Sequence, residues 1–206
     1  MLGAKRAWVL GKRPEDICGV RPLPVLGCAP VSCVDVREQA RAARARGDVA
    51  AFDLTEVRGV GCPAIRLGAH LACLAVGEFT LVGVSADAPE WIVSALDQLP
   101  ARAGEEPLEG LVAELDGLAA KHRAASDAAQ VVAHYLACHP RVAEVAYPGL
   151  KGDASFEVAA RTLECGFGPR VCWRVVGDDS WCELTLSPED DPRAVIMDLE
   201  REVLHV

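Results

Sequence analysis

Residues 70–87, "HLACLAVGEFTLVGVSAD", are almost continuously apolar. Two strand-like runs, Leu71–Val76 and Phe79–Ser85, are separated only by Gly77 and Glu78. Runs of that length, rich in Val, Leu and Ala and without alternating polar positions, predict strands buried on both faces. A chain with two such strands must build a sheet with cover on both sides. The same stretch raises a question of charge, because Glu78 sits where two buried strands meet. An uncompensated carboxylate inside a core costs several kcal/mol. Glu78 is therefore expected at a strand's C-terminal end, exposed or hydrogen-bonded, near Asp53.

The flanking sequence supplies the cover. "DVREQARAARARG" (35–47) predicts a helix capped by Asp35 and stopped by Gly47, and "DVAAFDLT" (48–55) a buried strand ending at an acid. Ala7–Leu10 reads as a short strand, and residues 56–69 as a turn-rich crossover. Pro89 and the apolar spacing of "EWIVSALDQL" mark a short helix. "PARAGEEP" (100–107) has linker composition. Beyond it, residues 107–138 predict a long helical region, and "RVAEVAYPG" a strand ended by Pro-Gly. "ASFEVAARTLECG" predicts a helix with a glycine stop. "RVCWRVVG" and "SWCELTL" predict an antiparallel hairpin across "GDDS". "DPRAVIMDLEREVL" predicts a closing helix with Asp191 as cap and Pro192 at its first position. The fold class that this pattern implies is an α/β piece followed by a small α+β domain.

Net charge and cysteine usage narrow the function classes. A net charge of −9 argues against a nucleic-acid partner. The arginines at 37–46 and 193–201 are spaced as solvated helix faces. No run reaches the 18 apolar residues of a membrane span. The start, "MLGAKRAWVLGKRPED", lacks the apolar core of a signal peptide, so the expected location is the cytoplasm. Nine scattered cysteines, an odd number set mostly in apolar runs, suit a reducing compartment with buried thiols. Cys28 and Cys33 in "CAPVSC" have no second Cys/His pair to complete a zinc set. Cys138-His139 reads as packing and a helix cap rather than a dyad, and His134 as an ordinary helix position. Lys12, in a basic "GKRPED" turn, could meet an anion. No G-x-G-x-x-G, P-loop, H-E-x-x-H or G-x-S-x-G occurs.

Three segments carry a resemblance. "AAQVVAHYLACHPRVAEVAYPGLKGDASFEVAARTLECGFGPRVCWRV" (128–175) resembles the start of the C-terminal domain of the Cys/Met-metabolism family of pyridoxal-phosphate enzymes. These are the cystathionine synthases and lyases and the methionine lyases of transsulfuration. "CELTLSPEDDPRAVIMDLEREVL" is similar to that family's closing segment, and "DVREQARAARARGDVAAFDLT" to the helix and strand before its "DNT" motif. The resemblance implies a shortened member. Residues 1–103 would be the remnant of a cofactor-binding α/β domain of the type I pyridoxal-phosphate transferase fold, with an incomplete mixed sheet. Residues 104–206 would be the α+β C-terminal domain, with an antiparallel sheet. Its Ser-Gly-Met phosphate turn has no counterpart here.

Pyridoxal phosphate needs a lysine for the Schiff base, a carboxylate at the ring nitrogen and donors for its phosphate. The resemblance puts Asp53 at the ring-nitrogen position and Glu78, 25 residues later, at the lysine position. Ala75 and Gly77 take the places of two phosphate-binding hydroxyls. Glu183 stands where the family has its substrate-carboxylate arginine. A carboxylate cannot form an imine, and Glu183 would repel a substrate carboxylate. The four lysines, Lys5, Lys12, Lys121 and Lys151, all lie in polar or loop-like settings. Asp53 is a vestigial site residue on this reading, and it could equally end a strand or cap a turn. The implied function is a non-catalytic relative acting by protein association or small-molecule binding. No bound cofactor or metal is expected, and the expected partner is a second copy or a full-length relative. Two other classes stay open. One is a pyridoxal-phosphate lyase or transferase with a displaced lysine, or completed by a partner chain. The other is a thiol or metal function of the cysteines.

Overall fold

The computed structural model describes residues 3–10, 17–27, 30–99 and 106–201, the side chains of 106–110 excepted. The chain divides into two compact units. One holds residues 1–25 and 35–118, the other 26–34 and 119–206.

The first unit is built on a five-stranded mixed sheet. Its strands are β1 (Arg6–Leu10), β2 (Leu23–Pro24), β3 (Ala51–Asp53), β4 (Leu71–Val76) and β5 (Phe79–Val84), in the order β1-β5-β4-β3-β2. β2, β3 and β4 run parallel, and β4, β5 and β1 are successively antiparallel. Helix α1 (Val36–Arg46) joins β2 to β3. Asp35 accepts the Glu38 N–H at its start, and Gly47 ends it in the left-handed conformation, as predicted. The predicted strand over 48–55 shortens to β3, because Thr55 onward turns away on side-chain bonds from Asp53.

Both faces of the sheet are covered, as the unbroken apolar runs require. Helix α2 (Glu90–Gln98) sets Ile92 and Leu96 against Ala51, Leu71, Cys73, Val82 and Val84. Leu111 of helix α3 (Glu106–Leu115) packs on Leu74 and Val76 of the opposite face. The helical region predicted over 107–138 is two helices, α3 and α4 (Leu118–Cys138). The break falls at Asp116-Gly117, where Gly117 takes a φ of +68°. The linker "PARAGEEP" lies mostly outside the described residues. The compact division falls after Leu118, because Leu111, Leu115 and Leu118 join the β4 cluster.

The second unit has a three-stranded antiparallel sheet of β6 (Val142–Ala146), β7 (Arg170–Val175) and β8 (Cys182–Thr185), in that order. Helix α4 lays Ala128, Ala129, Val132, Ala133 and Leu136 against Val171 and Trp173. The small residues let helix and sheet approach closely. Helix α5 (Phe156–Thr162) precedes β7. Helix α6 (Pro192–Leu199) is capped by Asp191, which accepts the Arg193 N–H, with Pro192 at its first turn.

A polar knot fixes this unit. The Tyr147 side chain is fully buried, and its hydroxyl lies 3.1 Å from both Ser126 O and Gly168 O. The Ser126 hydroxyl accepts from Phe167 N at 2.7 Å and Gly168 N at 3.2 Å. A Cβ on Gly166, whose φ is +119°, would lie 2.3 Å from that hydroxyl oxygen, so only glycine fits there. Burial pushes the Tyr147 phenol up to about 12, although its bond to Ser126 works the other way.

Candidate functional site

Parallel strands of an open sheet gather ligand groups at their carboxyl ends. In the first unit that edge carries Asp53, at the end of β3, and Glu78, in the turn between β4 and β5. Strand alternation puts Asp53 on the α2-covered face with Ala51, and its cross-strand partner is Cys73. Asp53 is half-buried, and its Oδ1 accepts from Thr55 N at 2.9 Å and from Thr55 Oγ1 at 2.5 Å. Thr55 Oγ1 in turn accepts from Ala75 N at 3.0 Å. The carboxylate thus caps a turn and, through Thr55, ties the loop after β3 to β4.

Glu78 does not sit inside the core. β4 and β5 form a hairpin with Val76 opposite Phe79, so Gly77 and Glu78 are a two-residue loop. Gly77 takes the left-handed first position that such a tight hairpin needs, with a φ of +54°. Glu78 is exposed at the tip, about 10 Å of strand beyond the Asp53–Cys73 pair. Sequence spacing alone marked the carboxylate but left the turn unread. On the same face as Asp53, Thr80 lies opposite Ala75 and is 2% exposed, and its hydroxyl has no hydrogen-bond partner among the described residues. Lys5 is the one described lysine of this unit. It lies beside Val84, at the opposite end of the sheet from the hairpin. Lys12 falls outside the described residues.

In the second unit, Glu183 lies on β8 directly opposite Cys172. Its Oε2 lies 3.3 Å from the Arg170 guanidinium and 3.9 Å from Cys172 Sγ. Arg170 also donates to Gly27 O at 2.6 Å. Arg170 and Cys172 are buried, while 45% of the Glu183 side chain is exposed. The carboxylate at 183 is therefore answered by a cation two residues before its cross-strand partner, a pairing not read from the sequence. Alternation along β7 would have suggested it, since Arg170 and Cys172 share a face.

The eight described cysteines stand as thiols. Cys33, Cys62, Cys73 and Cys172 are buried, Cys18 and Cys182 are half-buried, and Cys138 and Cys165 are exposed. The expectation of mostly buried thiols holds for the first four alone. Cys28 lies outside the described residues, and among those described no group of three or more His, Cys, Asp or Glu is placed to hold a metal. Nor is any described helix long and apolar enough to cross a membrane. His139, buried at the end of α4, accepts Arg141 N–H on Nδ1 and lies 3.3 Å from Glu200, a packing and turn role.

No curated protein matches this chain. Among solved structures, it is similar to a cystathionine gamma-lyase from Lactobacillus plantarum complexed with L-serine. The TM-score is 0.62 at 20% identity, over 70% of this chain and 40% of that one. It is also similar to an apo methionine gamma lyase from Micromonospora echinospora, with a TM-score of 0.71 at 18% identity, over 94% of this chain and 68% of that one. The chain thus spans less than half the length of the first of these. At such identities the likeness shows the fold, that of the pyridoxal-phosphate transferases. Membership rests on the sequence pattern of the family described as Cys/Met metabolism PLP-dependent enzyme, which matches residues 27–183. The chain belongs to the Cys/Met-metabolism family of pyridoxal-phosphate-dependent enzymes.

Proposed function

We propose that this chain is a non-catalytic member of its family, acting by association with other chains or by binding a small molecule. One observation carries the reading. The position that the resemblance gives to the family's lysine, Glu78, is exposed on a two-residue hairpin tip. The residues described at this sheet edge do not fit pyridoxal phosphate as a Schiff base. They offer a carboxylate, the Thr55 hydroxyl already bonded to Asp53, and one neutral hydroxyl, Thr80, but no described lysine. No chemical step is therefore derived through the cofactor. Glu183 adds support, because the cation beside it, Arg170, is bound to the chain's own carboxylate and carbonyl. The setting that suits such thiols is the cytoplasm, and the partner that suits the reading is a second copy or a full-length relative.

Mixing the purified chain with pyridoxal phosphate and reducing with borohydride tests the reading. The expected result is no stoichiometric pyridoxyl adduct at any single lysine. One lysine fully modified in peptide mapping, Lys12 included, overturns it. The retained Asp53 favours a second reading, a carbon–sulfur lyase or transferase with a displaced lysine or one completed by a partner chain. Yellow cofactor that copurifies with the chain, alone or with a partner identified by mass, would decide for it.

A further inference from the structure

The second unit carries a cleft of about 430 Å³ whose lining includes none of Asp53, Glu78 and Glu183. That is the size of small-ligand pockets, roughly 300–1,000 Å³. Its apolar wall is Val142 and Val145 of β6 with Leu150 of the following loop. His134 of α4 and Lys151 supply its basic groups, and Glu144 and Asp153 its acids.

The acids are already answered within the fold. Asp153 Oδ1 accepts from Ser155 N and Oγ, both at 2.7 Å, and its Oδ2 accepts from Tyr147 N at 2.9 Å. Glu144 pairs closely with Arg174. The basic side is not answered. Lys151 makes no ion pair among the described residues, and it lies with Gly152 at the centre of a turn closed by Asp153 N to Leu150 O at 2.9 Å. The amides of Lys151 and Gly152 take no part in that bond. Gln130 donates from Nε2 to Gly149 O at 2.9 Å, and the same nitrogen lies 2.9 Å from His134 Nε2. An amide nitrogen can only donate, so His134 accepts on Nε2 and carries its proton on Nδ1. The donors left over in the cleft are the Lys151 ammonium, the His134 Nδ1–H and the amides of Lys151 and Gly152, and the acids there already take bonds from Arg174, Ser155 and Tyr147.

We propose that this cleft binds a small organic anion. Its charged head meets Lys151 and the His134 Nδ1–H, and a short branched aliphatic body lies on Val142, Val145 and Leu150. The site goes beyond the reading above and stands whether or not the chain is catalytic.

The test is a titration of the full chain, labelled with nitrogen-15, by 4-methylpentanoate, by its neutral amide and by inorganic phosphate. The carboxylate should shift the Lys151, Gly152 and His134 resonances saturably. Both the amide and phosphate should bind at least roughly tenfold more weakly, a difference of about 1.4 kcal/mol. Lys151→Gln, an exposed change that leaves the core alone, should weaken the carboxylate by a similar factor. No saturation at tens of millimolar, equal binding of the amide, or an unchanged affinity in Lys151→Gln each overturns the proposal. Phosphate binding as tightly as the carboxylate overturns it too, because the aliphatic body then contributes nothing.

Discussion

The two sheets handle polar groups in opposite ways. In the first unit the sheet is apolar on both faces, and its carboxylates stand at strand ends, in a turn or in solvent. In the second, polar side chains run through the fold itself: Tyr147 and Ser126 tie α4 to the loop before β7, and Arg170 joins β7 to β8 and Gly27. A charge at a hairpin tip can be exchanged with little effect on packing. A group that satisfies two or three buried backbone atoms cannot. Substitutions at the hairpin tip are therefore tolerated more easily than substitutions in the segment around "YPGL".

Gly166→Ala attacks the contrast hardest. It places a Cβ against Ser126 Oγ, which two backbone amides hold in place, and forces a side chain into a glycine-only conformation. A loss of about 3 kcal/mol is expected from strain and overpacking together, read as a lowered denaturant midpoint. A loss under about 1 kcal/mol would mean the knot is loose. Tyr147→Phe removes only the hydroxyl, whose single proton lies between the Ser126 and Gly168 carbonyls, for a cost of about 1.5 kcal/mol in the same measurement.

The first unit also has a buried, hydrogen-bonded polar group away from the hairpin. His70 is buried where β4 begins, and its Nδ1 accepts the Ala50 N–H at 3.0 Å. Burial, then the nearby Arg44, lowers its pKa, while Asp87 opposes them. The folded state therefore resists the proton that the unfolded chain accepts. Stability from His70 is complete above its unfolded pKa of about 6.5 and declines as pH falls below it, toward the lower folded value. Urea midpoints at pH 7.5 and 5.5 should differ in that direction, and the difference should shrink in His70→Asn. The smallest effect belongs to Glu78→Lys. An exposed tip residue should change stability by less than about 0.5 kcal/mol. A larger loss would mean that the hairpin depends on the carboxylate.

Much of the frame was legible in the sequence, because apolar period and capping residues are local signals. The caps at Asp35 and Asp191, the two apolar runs and the β7–β8 hairpin all follow from neighbours in the chain. Legibility ended where contacts are long-range. Glu78 could be placed at a strand end, but its role as one half of a two-residue turn depends on β5 folding back in register. Arg170 meets Glu183 only once the register of β7 on β8 is known, and the cleft around His134 and Lys151 joins a helix, a strand and a loop. The break at Gly117 was missed for another reason: glycine inside a helical pattern is tolerated as often as it ends one.

Residues 26–34 have a consequence for the order in which the chain is made. They leave the ribosome ahead of α1, yet belong to the second unit, where Gly27 accepts from Arg170, 143 residues later. The first unit can complete its sheet once α3 has emerged. The early segment must wait, without its partners, until β7 has been synthesised. Closing a loop of that length carries an entropic cost of about 4 kcal/mol that no local contact repays. The second unit therefore cannot close before β7 is made, and a fragment beginning at residue 119 would have Arg170 but not the Gly27 carbonyl that accepts from it.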